Sequence, residues 1–357
     1  MLQVRPVAES DLPALIELVK LSRGALTSLS PDPKQLERRI DRSVAAFADE
    51  HPRPAGELYS FVLEDSARLG VMLGTASIVS KTGGFYPFYA YQLESELYKS
   101  DILHVEQNVQ SLHLVEDHNG PTELGGLFLR PGVRGGGFGR MLGCARYLFM
   151  AARPQAFDPR VIAEVRGVTD EDGNSPFWDA VGRHFFNVDF PVADQLSYRE
   201  KSIIADLMPD HPLYVSMLPK SARDVIGVEH DFARPARRML ESEGFAWQGT
   251  VDIFDAGPTI RCDLPDIRGV RESMQSTVAA IEGELPEQSD AMICNDRLAY
   301  RAMPIAVDHR DDGVHLPAKA AAMLELDVGD PVRFVKLRPT SANDATHRES
   351  LPFSQES

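Results

Sequence analysis

Cysteine is scarce in this 357-residue chain: Cys144, Cys262 and Cys294 are widely separated and odd in number. That excludes a disulfide framework and a CxxC metal site, and it fits a reducing cytoplasm. No apolar run reaches the roughly 18 residues that a bilayer span needs. The opening MLQVRPVAESDLPALIELV lacks a basic flank followed by a continuous apolar core, so it does not read as a signal peptide. Cations are outnumbered, 37 Lys and Arg against 53 Asp and Glu, for a formal net charge of −16. Such a balance argues against bulk binding to nucleic acid or an anionic membrane. These absences together predict a soluble cytoplasmic protein without a metal.

What is present is an ordinary globular composition, with 43% hydrophobic and 25% charged residues. The length suggests about two domains and room for a small third piece. Leu2 to Val7 reads as a strand, and Ser10 or Asp11 caps a helix with Pro13 in its first turn and a stripe of Leu12, Leu15, Ile16 and Val19. A second helix is predicted over 33–48 and an antiparallel hairpin over 58–64 and 71–79. The aromatic-rich stretch 81–92 reads as a loop folded over its own apolar cluster. Strands near 110–116 and 123–129 precede a helix whose buried face is Met141, Leu142, Ala145, Leu148 and Phe149. Another strand (160–165), a helix over 175–186, a helix over 235–243 stopped by Gly244, and a strand over 251–254 follow. Residues 291–340, punctuated by Gly313, Gly329 and Pro331, read as a β-rich appendage, and 341–357 as a polar tail. The domain reading is therefore 1–200, 201–290, 291–340 and the tail.

The most informative stretch is LFLRPGVRGGGFGRMLGCARYLFM, residues 127–150. An apolar strand ends at Arg130, a glycine-dense turn follows, and an amphipathic helix begins near Phe138. Glycines there let backbone N–H groups approach an anion, and the helix N-terminus adds partial positive charge. Arg130, Arg134, Arg140, Arg146 and Arg153 occur with no Asp or Glu between Leu129 and Asp158. In so acidic a chain, that local excess marks a place for a polyanion. No Gly-Lys-Ser/Thr follows the turn, which excludes a Walker A loop, and its position far from the first strand excludes a dinucleotide fingerprint.

Strand, loop, helix and strand around Arg134-Gly-Gly-Gly137-Phe-Gly139 resemble the coenzyme A-binding motif of the GCN5-related N-acyltransferase superfamily. The opening VRPVAESDLPAL resembles the first strand and helix of that fold. More specific blocks extend the likeness over residues 1–340: Gly24-Ala-Leu-Thr-Ser-Leu29, Glu123-Leu-Gly-Gly-Leu-Phe-Leu129, Asn174-Ser-Pro-Phe-Trp178 and Val251-Asp-Ile-Phe-Asp-Ala-Gly-Pro258. These resemble the arginine N-succinyltransferase family. The resemblance implies an α/β (α+β) fold, a mixed sheet flanked by helices. A degenerate second acyltransferase-like half and a small C-terminal β-rich segment would complete it.

It also implies transfer of succinyl from succinyl-CoA to the α-amino group of L-arginine, or of L-ornithine. It carries an active-site histidine, a proton donor, onto His230 and a succinyl-CoA contact onto Leu127. On that basis Leu127, Phe128 and Leu129 are expected to hold the thioester carbonyl and pantetheine. Arg134, Gly135, Gly136, Gly137, Phe138, Gly139 and Arg140 are expected to hold the diphosphate. Thr27 and Ser28 would bind the acceptor's carboxylate, and Asp252 and Asp255 on a VDIFD strand its guanidinium. Glu164, inward on its strand, is a second proton-handling candidate. Ala256 stands where the family commonly has a glycine, and Tyr86-Pro87 lacks the usual aspartate before proline. An acetyl-CoA-dependent transferase and a non-catalytic partner subunit are the competing readings. Paired, non-identical subunits in some members leave both homo- and hetero-oligomers open.

Overall fold

The computed structural model describes residues 1–22, 29–68, 71–199, 202–286 and 288–339. Strand β1 (Leu2–Pro6) leads through a short 3-10 turn into α1 (Leu12–Ser22), and α2 (Pro33–Ala48) follows. Asp32 caps α2 by accepting the Lys34 N–H at 3.0 Å, and Pro33 stands where a missing N–H costs nothing. Strands β2 (Leu58–Asp65) and β3 (Met72–Val79) form the antiparallel pair read from the sequence. A longer hairpin of β4 (Gly83–Ser100) and β5 (Val105–Asn119) comes next. The unit β6 (Thr122–Leu129), α3 (Phe138–Ala152) and β7 (Arg160–Glu164) contains the glycine loop.

Short helices then wrap one end: α4 (Pro176–Ala180), α5 (Gly182–Phe186), α6 (Phe190–Arg199) and α7 (Ser202–Leu207), then β8 (Leu213–Tyr214) and α8 (Lys220–Arg223). They are followed by α9 (Arg234–Glu241), β9 (Ala246–Val251), β10 (Pro258–Asp263) and α10 (Arg268–Arg271). The C-terminal piece holds β11 (Met274–Ile281), β12 (Ala291–Cys294), β13 (Ala302–Ile305), β14 (Asp308–Arg310), β15 (Gly313–Leu316), α11 (Ala318–Leu324) and β16 (Pro331–Lys336).

The strands join in the order β14-β15-β11-β16-β12-β13-β1-β2-β3-β6-β7-β10-β9-β4-β5-β8. Strands β9 and β10 lengthen the same sheet. By strand pairing the C-terminal piece starts at β11, which bonds to β15 and β16, rather than at 291. One face of the central strands packs on α1 and α2 through Val7, Leu15, Leu18, Leu36, Ile40 and Phe128. The other packs on α3, which is buried from Met141 through Met150, as expected of a helix covered on every side.

Two local readings change. The aromatic stretch 81–92 is a loop only at its start and runs as β4 from Gly83. Tyr89, Ala90 and Tyr91 are all buried, so both faces of the strand are covered and no polar alternation advertises it. The VDIFD segment is a turn, not a strand: β9 ends at Val251, and Asp252 Oδ1 accepts the N–H groups of Phe254 (2.7 Å) and Asp255 (2.9 Å).

Candidate active site

Strands β6 and β7 run parallel but pair only at Thr122 with Val161 and Glu123 with Ile162. Beyond Glu123 no residue of β6 pairs with β7, and the two strands part. On its other edge β6 carries one residue too many: Thr75 faces Phe128 and Ser77 faces Gly125, so Gly126 and Leu127 oppose the single Ala76. This is a β-bulge, and Gly126 adopts φ +61°, with a Cβ there falling 2.7 Å from Ser77 Oγ. The extra residue reverses the alternation. Leu124 faces α3, whereas after the bulge Leu127 and Leu129 face α3 and Phe128 faces α1 and α2.

From beneath, Arg146 of α3 reaches the bulge, its Nη1 donating to the carbonyls of Ser77 (3.2 Å) and Gly125 (3.5 Å). It is 1% exposed, its Nε meets no partner among the described residues, and burial pulls its pKa down. Arg146 therefore holds the scaffold and does not face a polyanion, contrary to the sequence grouping. Arg153 is also buried, and Arg130 pairs with Glu17 at 2.8 Å. Of that set, Arg134, stacked over the Phe128 ring at 5.3 Å, and Arg140 remain beside the loop.

The loop itself is exposed, and Gly137 caps α3 with φ +79°, a left-handed conformation that favours glycine. Among the described residues, the backbone N–H groups of Arg134 through Gly139 donate to no protein acceptor. Next to it lies a cleft of about 530 Å³ lined by Arg140, Asp231, Arg234, Pro235, Arg238 and Met239. Arg234 pairs with Asp231 at 2.5 Å, whereas no ion pair holds the Arg238 guanidinium among the described residues. The sequence reading missed Arg234 and Arg238, although the density of arginine in 234–238 was a signal.

His230 is fixed by its backbone. Its N–H donates to the Arg166 carbonyl at 2.8 Å, and a bridge joins Gly167 to Glu229. The Val165 N–H meets Pro258 of β10, so the carbonyl of the next residue leaves on the other edge of the strand. His230 thus stands on the edge of the β7 extension away from β10, the side on which β6 has parted. The Phe232 N–H donates to Nδ1 at 3.1 Å, which leaves the hydrogen of the neutral ring on Nε2. Burial, then the nearby Arg166, lower its pKa and favour the neutral form.

Glu164 is exposed, not inward. It lies opposite Thr259, on the face that also carries Glu123 and Ile162, away from α3. Asp255 is spent on the backbone, accepting the N–H groups of Gly167 and Gly257, both at 2.8 Å. Burial, together with the neighbouring Asp255, pushes Asp252 up to about 7, and burial likewise raises Asp194 to about 7. Ala256 holds φ +55°, which explains why glycine suits that position. Thr27 and Ser28 lie outside the described residues. No group of three His, Cys, Asp or Glu side chains is disposed to hold a metal among those residues. No helix there is long and apolar enough to cross a membrane.

A mixed sheet parted between two parallel strands, bulged at the parting and followed by an open glycine loop at a helix start, defines an acyl-CoA-using N-acyltransferase of the GCN5-related class. The family model described as the arginine N-succinyltransferase beta subunit matches residues 2–269, and that for its C-terminal domain matches 275–336. The arginine N-succinyltransferase of Yersinia enterocolitica is 41% identical over 341 residues, covering 94% of this chain and 98% of the relative. That of Escherichia coli K12 is 39% identical over 342 residues, with 94% and 98% covered. The solved arginine/ornithine succinyltransferase subunit AI from Pseudomonas aeruginosa superposes with a TM-score of 0.85 at 32% identity, covering 95% and 99%. The chain belongs to the arginine N-succinyltransferase family.

Proposed function

We propose that this chain transfers the succinyl group of succinyl-CoA to the α-amino group of L-arginine, with L-ornithine as the alternative acceptor. The observation that carries this reading is the row of unspent amides at Arg134–Gly139, lying where the β6 strand has left β7. The diphosphate seats on those amides at the start of α3. The pantetheine amides then add along the open edge of β6 as an extra strand would, bringing the thioester carbonyl to the backbone of Leu127. The neutral amine attacks the thioester carbon, the C–S bond breaks and the amide forms. The proton shed by nitrogen leaves to Glu164 or to water, and the thiolate takes one from water. The neutral His230 ring steadies the departing sulfur with a hydrogen bond from Nε2–H and keeps its own proton. Asp252 and Asp255 keep the acceptor turn in shape, and the acceptor lies on the face shared by Glu123 and Glu164. Three buried free thiols suit a reducing, cytoplasmic setting.

Gly137→Val tests the loop. A β-branched residue is strained at φ +79°, so the loop must refold, and CoA affinity is expected to fall about tenfold or more by calorimetry. Unaltered affinity would move the nucleotide elsewhere. Arg238→Ala tests the cleft: CoA is expected to bind about tenfold more weakly, and dephospho-CoA, which lacks the 3′-phosphate, almost as before. Equal losses for both ligands would remove Arg238 from phosphate recognition. A thiol-release assay across succinyl-CoA and acetyl-CoA, with arginine and ornithine, tests the reaction itself. Turnover that appears only after adding a second, paralogous subunit would favour the partner reading.

A further inference from the structure

We infer that Phe232 is a positioning residue for the transfer: its ring holds the His230 imidazole in the plane from which Nε2–H meets the departing sulfur. The inference rests on the acyltransferase reading above and adds to it the group that fixes the histidine's aim.

A histidine side chain turns about two single bonds, so a tie through its backbone alone leaves the ring free to swing. The turn that follows His230 removes that freedom. The Ala233 N–H donates to the His230 carbonyl at 2.8 Å, which closes a four-residue turn over 230–233 just ahead of α9. Phe232 stands third in it, and two contacts run back from there to the imidazole. Its N–H donates to Nδ1 at 3.1 Å, and its ring lies over the imidazole with centroids 5.0 Å apart and planes 26° from parallel. That spacing and tilt are those of an offset aromatic stack. The first contact fixes which nitrogen carries the hydrogen. The second fixes the plane in which that hydrogen points.

Nothing in the packing asks for an aromatic ring at this position. Phe232 is 74% exposed and belongs to none of the hydrophobic clusters formed by the described residues. One exposed phenylalanine by itself means little. This one has as its aromatic partner the imidazole on the edge where β6 has parted from β7. The neighbouring charges do not replace the stack. Arg166 on the β7 extension lowers the pKa of His230 and Asp231 in the turn raises it, but both act on the charged ring. A neutral ring is held by its hydrogen bond and its stack. Alanine at 232 removes the stack and keeps the backbone N–H, so the two contacts are separable.

The test is a double-mutant cycle on succinyl transfer: wild type, Phe232→Ala, His230→Ala and the double variant, with KM for both substrates and CoA affinity measured alongside kcat. Phe232→Ala is expected to lower kcat about tenfold, equivalent to about 1.4 kcal/mol and within what an aromatic stack contributes. Both KM values and CoA affinity should stay within about twofold. In the His230→Ala background the same substitution should change kcat less than about twofold, because no imidazole is left to hold. Phe232→Tyr keeps the stack and should stay within about twofold of wild type, whereas Phe232→Leu, apolar but without a flat ring, should fall nearly as far as alanine. Equal losses in both backgrounds would overturn the inference, as would a raised KM at unchanged kcat or full activity in Phe232→Ala. An unchanged kcat in His230→Ala would overturn it too, since nothing would remain to be positioned. A wild-type chain that transfers no succinyl group would instead sink the underlying reading.

Discussion

Replacing His230 with alanine is expected to lower kcat by about 10²–10³-fold while CoA affinity remains within a factor of two. The asymmetry follows from how the residue is held. Its backbone, not its ring, ties it to the β7 extension through the 2.8 Å bond to Arg166, so truncating the imidazole leaves the chain in place. The ring nitrogen Nδ1 is engaged by the Phe232 N–H, and the ring stacks on Phe232 with centroids 5.0 Å apart. Only Nε2–H is left to act on a departing sulfur. His230→Gln places an amide N–H near the position of Nε2 and should recover part of the lost rate, whereas alanine cannot. Single-turnover acyl transfer checks both variants. An unchanged kcat in His230→Ala would remove the residue from the mechanism.

The second large effect concerns stability. Glu243, fully buried, accepts the Arg268 Nη2 at 2.8 Å and the Gly269 N–H at 2.9 Å, while Arg268 Nη1 donates to the Lys336 carbonyl at 3.0 Å. One ion pair thereby joins the end of α9, the start of α10 and strand β16 of the C-terminal piece. Arg140 at the first turn of α3 also approaches Glu243, at 3.5 Å. Glu243→Gln removes the buried negative charge and leaves the Arg268 guanidinium only the half-exposed Glu272, at 3.2 Å, as counter-ion, which costs about 3 kcal/mol, the low end for a broken buried pair. Urea unfolding should show this as a lower midpoint at nearly unchanged slope. The double variant Glu243→Leu with Arg268→Met should regain much of the loss, because burying no charge is cheaper than burying one. If the single variant were as stable as wild type, the pair would be an ornament of the fold.

Much of the scaffold was legible where one physical signal dominated. The α1 stripe, the β2–β3 pair, the glycine loop and the inward side of α3 all follow from alternation, helical spacing or glycine placement. Illegible features were those in which tertiary surroundings cancel the local signal. Strand β4 is buried on both faces at Tyr89–Tyr91, so its tyrosines there look like a loop cluster. Asp252 makes a turn by capping its own neighbours, a contest that composition does not show. Arg146 looks like its basic neighbours in sequence, yet it is buried behind the bulge, because α3 is covered on all sides. Glu164 falls on the face away from α3 because Val161, Ala163 and Val165 fill the α3 side of β7 and the strand alternates, a choice of side that five residues read alone do not fix.

Gly126 sets the far end of β6 half a pleat out of phase with its near end. Because the one extra residue is what reverses the facing, a chain without Gly126 would pair evenly with β3 and still hold Leu127 and Leu129 on the α3 side and Phe128 on the other. Losing two residues here would swap all three. A one-residue difference in length, at Gly126 itself, is therefore the change this strand can absorb with its packing intact.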